Sequence, residues 1–163
     1  MLEKTLKKVY EKPKLYSAMR YLSKAIVVLF GLSALLLFYG AYKISVLSLV
    51  KVALICAVPF VIVTLVRGLI NAPRPYELYD FYEKKPKDKV GQSFPSRHVF
   101  SGTILATLTL FLYPAVGAVM MGLAVLLAVL RVLVGIHFVR DVVTGGLIGA
   151  FSAVLGVVIL SPF

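Results

Sequence analysis

Two uncharged stretches decide what this chain can be. Asp, Glu, Lys and Arg are absent from Val99 to Leu130 and again from Val142 to Phe163, and between Ala25 and Val66 only Lys43 and Lys51 occur. Apolar and aromatic residues make up 60% of the 163 residues and charged ones 15%, whereas a soluble domain carries about a quarter charged residues. That is more apolar side chain than a water-facing globule can hide, so an integral membrane protein is the first reading. The net charge of +11 raises nucleic acid as a partner. Its confinement to the flanks of the apolar runs argues against that class. The single Cys56 lies inside an apolar run, which excludes a disulfide framework. The first apolar stretch follows 24 polar-rich residues with no small-residue cleavage site after it, so no removable signal peptide is expected.

A helix crossing the hydrocarbon needs about 20 mostly apolar residues. Ala25 to about Ala41 and about Ser45 to Val66 supply the first two spans. Tyr113-Pro114 divides the next uncharged run, giving a third span from about Ser96 to Leu112 and a fourth from about Ala115 to Val134. A fifth runs from about Val142 to Leu160, with Gly145, Gly149 and Ala153 four apart on one face, the small-residue pattern that lets helices approach closely. The expected fold is an all-α polytopic membrane helix bundle of about five spans in one domain, residues 25–163.

Residues 1–24 hold seven Lys and Arg, with Leu2, Leu6 and Val9 at helical spacing up to Pro13. An amphipathic helix lying on anionic lipid headgroups fits this pattern; a solvated tail is the alternative. Basic residues also crowd the segment from Arg67 to Arg97, including Lys84, Lys85, Lys87 and Lys89. Cytoplasmic flanks are enriched in Lys and Arg. The N-terminus and this long loop are therefore expected on the cytoplasmic side, in a prokaryotic cell membrane.

Polar residues suited to chemistry concentrate in three places: Arg67 to Arg74-Pro75, Phe94-Pro95-Ser96-Arg97-His98, and Arg131 to His137 and Asp141. Alternating span directions put all three at one membrane face, together with the only two histidines. Arg67, Arg74 and Arg131 sit at the apolar boundary, where an unpaired cation is costly, and acidic partners are scarce. Several guanidinium forks without carboxylates suit a phosphate dianion, and Ser96 stands where it can cap a helix whose free N–H groups bind anions. His137 and Asp141, four apart, share a face if the backbone is helical. The carboxylate would then orient one imidazole nitrogen and free the other for attack, while His98 protonates the leaving oxygen. Each feature also has a plainer reading: arginines as snorkelling anchors, His98 as a helix-start residue, His137 and Asp141 as half a metal site. No further metal ligands of the right type accompany them, so no metal or other cofactor is expected.

The three clusters resemble the signature of the type 2 phosphatidic acid phosphatase superfamily, the membrane lipid phosphate phosphatases. That signature reads Lys-x6-Arg-Pro, then Pro-Ser-Gly-His, then Ser-Arg-x5-His-x3-Asp. Here Arg67-x6-Arg74-Pro75 has Arg for Lys, Pro95-Ser96-Arg97-His98 has Arg for Gly, and Arg131-x5-His137-x3-Asp141 follows Leu130 where the family has Ser. The resemblance implies that His137 is a nucleophile forming a phosphohistidine, Asp141 its orienting partner and His98 the general acid. It implies a phosphate cradle of Arg67, Arg74, Ser96 and Arg131, with Arg97 as a further cation for a second phosphate or a headgroup, and metal-independent hydrolysis in two steps.

The implied substrate is a membrane lipid phosphate or diphosphate, such as a polyprenyl (di)phosphate, phosphatidylglycerol phosphate or phosphatidate. The third span, only about 21 Å from Val99 to Leu112 at 1.5 Å per residue, places the His98 end below the headgroup plane. Tyr76, Tyr79, Phe81 and Tyr82 form either a cover over the site or an interfacial aromatic belt. A small lipid transporter or flippase, or a catalytically inactive relative, is the rival reading. The uncharged interiors of the last three spans argue against a polar transport path.

Overall fold

The computed structural model describes residues 2–82 and 90–163. Lys84, Lys85, Lys87 and Lys89 therefore lie outside the described residues. The described chain is all-helical: α1 Leu2–Tyr10, α2 Pro13–Ile44, α3 Val46–Ile70, α4 Pro75–Leu78, α5 Arg97–Leu112, α6 Pro114–Leu133 and α7 Val139–Leu160. Proline stands at the start of α2, α4 and α6, where its missing N–H is no loss and its fixed φ suits the first turn. A single residue, Ser45, separates α2 from α3, and its hydroxyl accepts the Ser48 N–H at 2.9 Å. Asn71 closes α3 in the left-handed conformation, φ 44°, donating to the Arg67 carbonyl; asparagine is among the few residues that adopt it readily.

Residues 1–24 are not one interfacial helix. The short amphipathic α1 ends at Tyr10, and Pro13 opens a helix that runs unbroken through Lys24 into the first span. The reason is Pro13 itself, which stops a helix arriving from upstream and starts one going downstream. By length and hydropathy α2, α3, α6 and α7 can each cross a membrane. Helix α5, with 16 residues, reaches about 24 Å against a hydrocarbon core of about 30 Å.

Short as it is, α5 is the central element, packed against α7, α6, α2 and α3. Its small or buried faces permit this: Gly102, Ala106 and three buried threonines. Thr107 and Thr109 return their hydroxyls to the carbonyls of Thr103 and Leu105 at 2.8 Å, so neither of these two hydroxyls is stranded in hydrocarbon. The small-residue face of α7 meets the α5 backbone. A Cβ on Gly145 would stand 2.5 Å from the Ser96 carbonyl oxygen, and one on Gly149 2.6 Å from that of Phe100. Leu37, Val52, Ile55, Phe100, Ile104 and Ala153 close the core on one side, and Ile26, Phe30, Met120, Leu127 and Leu130 on the other. Large aliphatic side chains such as Leu69, Leu147 and Val158 point outward, the arrangement expected of a protein whose surroundings are lipid.

The aromatic residues of the α4 region turn inward. Tyr76 and Tyr82 are buried with Tyr16, Val134 and Ile136. Tyr10 meets Tyr16 and Tyr82 edge-on at 5.2 and 5.0 Å, and Tyr79 stacks on Phe81 at 5.8 Å. These rings fasten α1 and the start of α2 over the 134–136 turn instead of forming a belt toward lipid.

Candidate functional site

Antiparallel spans bring the C-terminal ends of α3 and α6 and the N-terminal ends of α2, α5 and α7 to one face. The three motifs meet there. The Ser96 N–H at the start of α5 donates to the Asp141 carbonyl of α7 at 2.8 Å. Arg74 donates to the Gly91 carbonyl at 2.9 Å and to those of Gln92 and Ile136 at 3.3 Å, joining the first motif to the third and to the loop that precedes the second. Arg67 donates to the carbonyls of Gln92, Ser93 and Pro95. Both guanidinium groups are buried and engaged on the backbone of the 91–95 loop, so they hold that loop and place fixed positive charge beneath it.

At the centre lies a buried group of three side chains. The His137 Nδ1 is 3.6 Å from Asp141 Oδ2. The Ser93 hydroxyl stands between them, donating to Oδ2 at 2.5 Å and lying 3.3 Å from Nδ1. With its proton on the carboxylate, Ser93 Oγ is an acceptor for Nδ1–H, a pairing that leaves Nε2 with its lone pair. The same Oδ2 accepts the Phe138 N–H at 2.9 Å, so Asp141 anchors the first turn of α7 as an N-terminal carboxylate does. Arg140, largely exposed, places Nε 3.6 Å from the other oxygen, Oδ1. Burial pushes the His137 imidazole down to about 4, with Arg74 and Arg131 adding to the fall and Asp141 opposing it. A neutral ring at physiological pH follows.

Ser93 belongs to none of the three motifs read from the sequence. A serine in a polar loop carries no periodic signal, and only its two-residue distance from Pro95 pointed to the region.

Four buried side-chain polar atoms have no hydrogen-bond partner among the described residues: the Tyr82 hydroxyl, Ser96 Oγ, Arg131 Nε and Asp141 Oδ1. Arg131 lines a cavity of about 340 Å³ together with His98, Arg20, Ser23 and Lys24. His98 also borders an adjoining cavity of about 320 Å³ with Arg97, Phe60, Phe30 and Leu105. Arg97 lies over the Phe60 ring, 5.3 Å from its centroid. Leu130, at the position where the family has serine, points into the α2–α6 core and not toward the cavity. A larger cavity between α5, α6 and α7, about 490 Å³, is lined by Val99, Ala128, Val142 and similar residues and offers no charged group. Among the described residues no three His, Cys, Asp or Glu side chains gather as metal ligands.

Comparison with known proteins bears on the fold and the family. No curated protein matches the sequence. The crystal structure of Aquifex aeolicus LpxE is similar over 89% of this chain and 86% of that one, with 22% identity and a TM-score of 0.67. The first transmembrane PAP2-type phosphatidylglycerolphosphate phosphatase from Bacillus subtilis aligns over 93% and 88% of the two chains, with 24% identity and a TM-score of 0.41. Residues 48–162 match the family model of the PAP2 superfamily, a stretch that contains all three motifs and, but for the first two residues of α3, every span after the first. The chain has four helices long and apolar enough to cross a membrane and belongs to the PAP2 superfamily.

Proposed function

We propose that this protein hydrolyses a lipid phosphate or diphosphate through a phosphohistidine, without a metal ion. His137 Nε2 attacks phosphorus, and the bond to the lipid-side oxygen breaks as His98 gives that oxygen a proton. Water then attacks the phosphohistidine, His98 takes up its proton, the P–N bond breaks and inorganic phosphate leaves. Asp141 and Ser93 hold the ring in the tautomer that presents Nε2. Arg131 Nε and Ser96 Oγ donate to the phosphate oxygens, and Arg67 and Arg74 supply fixed positive potential where negative charge grows.

The observation that carries this reading is the Ser93–His137–Asp141 group, buried where the three motifs meet. A neutral imidazole beside two guanidinium groups is a usable nucleophile for a phosphorus centre. A lipid transporter has no use for an oriented nucleophile at one face, so the hydrolase reading is preferred. The test is phosphate release from short-chain lipid phosphates in detergent, with and without EDTA. Release that survives chelation and vanishes in His137→Asn supports the reading; release that EDTA abolishes overturns the metal-independent step.

The basic residues of α1 and the first turns of α2 favour an active face on the cytoplasmic side of a prokaryotic membrane. The same residues suit contact with anionic headgroups.

A further inference from the structure

We infer that Arg20 and Lys24 of α2 form a second anion subsite beside the catalytic one, which holds a second phosphate carried on the leaving-group side of the substrate. This rests on the role of His98 proposed above. Neither residue belongs to a family motif, and α2 contributes nothing to the Ser93–His137–Asp141 group. Yet Arg20 and Lys24, one helical turn apart, line the same cavity as His98 and Arg131. Among the described residues no carboxylate lines it, and about 340 Å³ is the lower end of the range for small-ligand sites. The buried Arg131 projects an unpartnered Nε at this place.

The general acid stands on the side of the leaving group. In a simple monoester such as an alkyl phosphate or phosphatidate that group is a neutral alcohol, and cations around it have nothing to bind, whereas the alcohol leaving phosphatidylglycerol phosphate still carries an anionic phosphodiester. In a diphosphate it is the lipid monophosphate, which keeps its negative charge as the P–O–P bridge breaks. Arg20 and Lys24 then hold the departing phosphate while His98 protonates the bridging oxygen and His137 keeps the terminal phosphorus. Arg20, Lys24 and Arg97 each lie beside a ring, 5.9 Å from the centroid of Tyr16, 5.8 Å from that of Tyr21 and 5.3 Å from that of Phe60. But Arg97, the cation expected from the sequence to serve a second phosphate, lines the adjoining cavity and not this one.

The adjoining cavity extends this arrangement. It shares His98 and Val27 with the first and continues between α2, α3 and α5 along Phe30, Phe60 and Leu105. Cations at one end and apolar walls at the other match the two parts of an amphiphile, with the hydrocarbon chain directed into the bilayer.

The experiment compares dodecyl phosphate with dodecyl diphosphate in nonionic detergent, measuring phosphate release as kcat/KM. Arg20→Gln combined with Lys24→Gln should lower the diphosphate-to-monophosphate ratio by about tenfold or more, the loss expected for charge-assisted hydrogen bonds. The conservative Arg20→Lys should retain most of the ratio. A ratio unmoved by the double variant overturns the subsite. So does an unmoved ratio with weakened binding to vesicles containing phosphatidylglycerol, which would make the pair a membrane anchor. Release from neither substrate, with His137→Asn equal to wild type, overturns the hydrolase reading itself and this inference with it.

Discussion

Ser93 and Asp141, 48 positions apart in the chain, share a hydrogen bond of 2.5 Å from the serine hydroxyl to Oδ2. Through it the 91–95 loop reaches the first turn of α7, and the imidazole of His137 is held between two oxygens instead of one.

Ser93→Ala removes one of those oxygens and leaves Asp141 in place. The expected loss in kcat is about ten- to a hundredfold, short of the ~10⁴ loss when the orienting carboxylate of a catalytic triad is replaced. Asp141→Asn should lose more than Ser93→Ala. KM should move little in either, because neither side chain is assigned to phosphate contact. Equal kcat in Ser93→Ala and wild type would remove Ser93 from the positioning of His137.

The titration of His137 can be read alone, because His98→Gln leaves a single imidazole in the untagged chain. Folded His137 titrates at about 4, below the ordinary value of about 6.5. As pH falls, the unfolded chain therefore takes up this proton first. The group leaves stability unaffected above about 6.5, and stability is lost progressively from about 6.5 down to about 4. Nitrogen-15 spectra should show an Nδ1–H ring at pH 7 with a midpoint near 4. A midpoint at or above about 6 would contradict the buried, neutral nucleophile.

The α5–α7 contact makes a sharp steric prediction. Gly145→Ala and Gly149→Ala each place a methyl within 2.6 Å of an α5 carbonyl oxygen and should destabilise by about 1–3 kcal/mol. Gly146→Ala finds its nearest neighbours at 3.7 Å, ordinary contact distance, and should be neutral. Thermal unfolding in detergent orders the three. Because Ser96 bonds to Asp141, Gly145→Ala should also lower activity among the molecules that remain folded.

Restoring the family's serine at Leu130 should do harm. The side chain is buried in the α2–α6 core, so Leu130→Ser should cost about 2–4 kcal/mol, as other truncations of buried leucine do. Inhibition by inorganic phosphate is expected to be no tighter than in wild type. Tighter inhibition would show that position 130 reaches the phosphate site after all.

Sidedness is open to direct measurement. With Cys56 replaced, a single cysteine at Lys85 should be protected from an impermeant thiol reagent in intact cells and label only after lysis. One at Phe163 should label in both. The reverse pattern would put the active face outside.

Family membership and the placing of three motifs at one membrane face were legible in the sequence. Charge-free runs announce spans because the transfer cost of a charged side chain belongs to the residue itself. Alternating direction then puts Arg74, His98 and His137 at one membrane face without further information. The stripe of Gly145, Gly149 and Ala153 foretold close packing, though not that α5 would be its partner. The partner depended on which backbone could approach that face, and short, small-residue α5 was the one that did. Ser93, Arg20 and Lys24 lay beyond sequence reasoning for the same reason. A loop serine and two basic residues at a span boundary look alike whether they serve chemistry or solvent, and what distinguishes them is which groups the folded chain sets beside them. Arg67 and Arg74 show the converse: their position in the motif was evident, but only the tertiary structure decided that their guanidinium groups hold loop carbonyls. The preference of a segment for the membrane is largely a local property of the chain, whereas a hydrogen-bond partner is a fact about three-dimensional proximity.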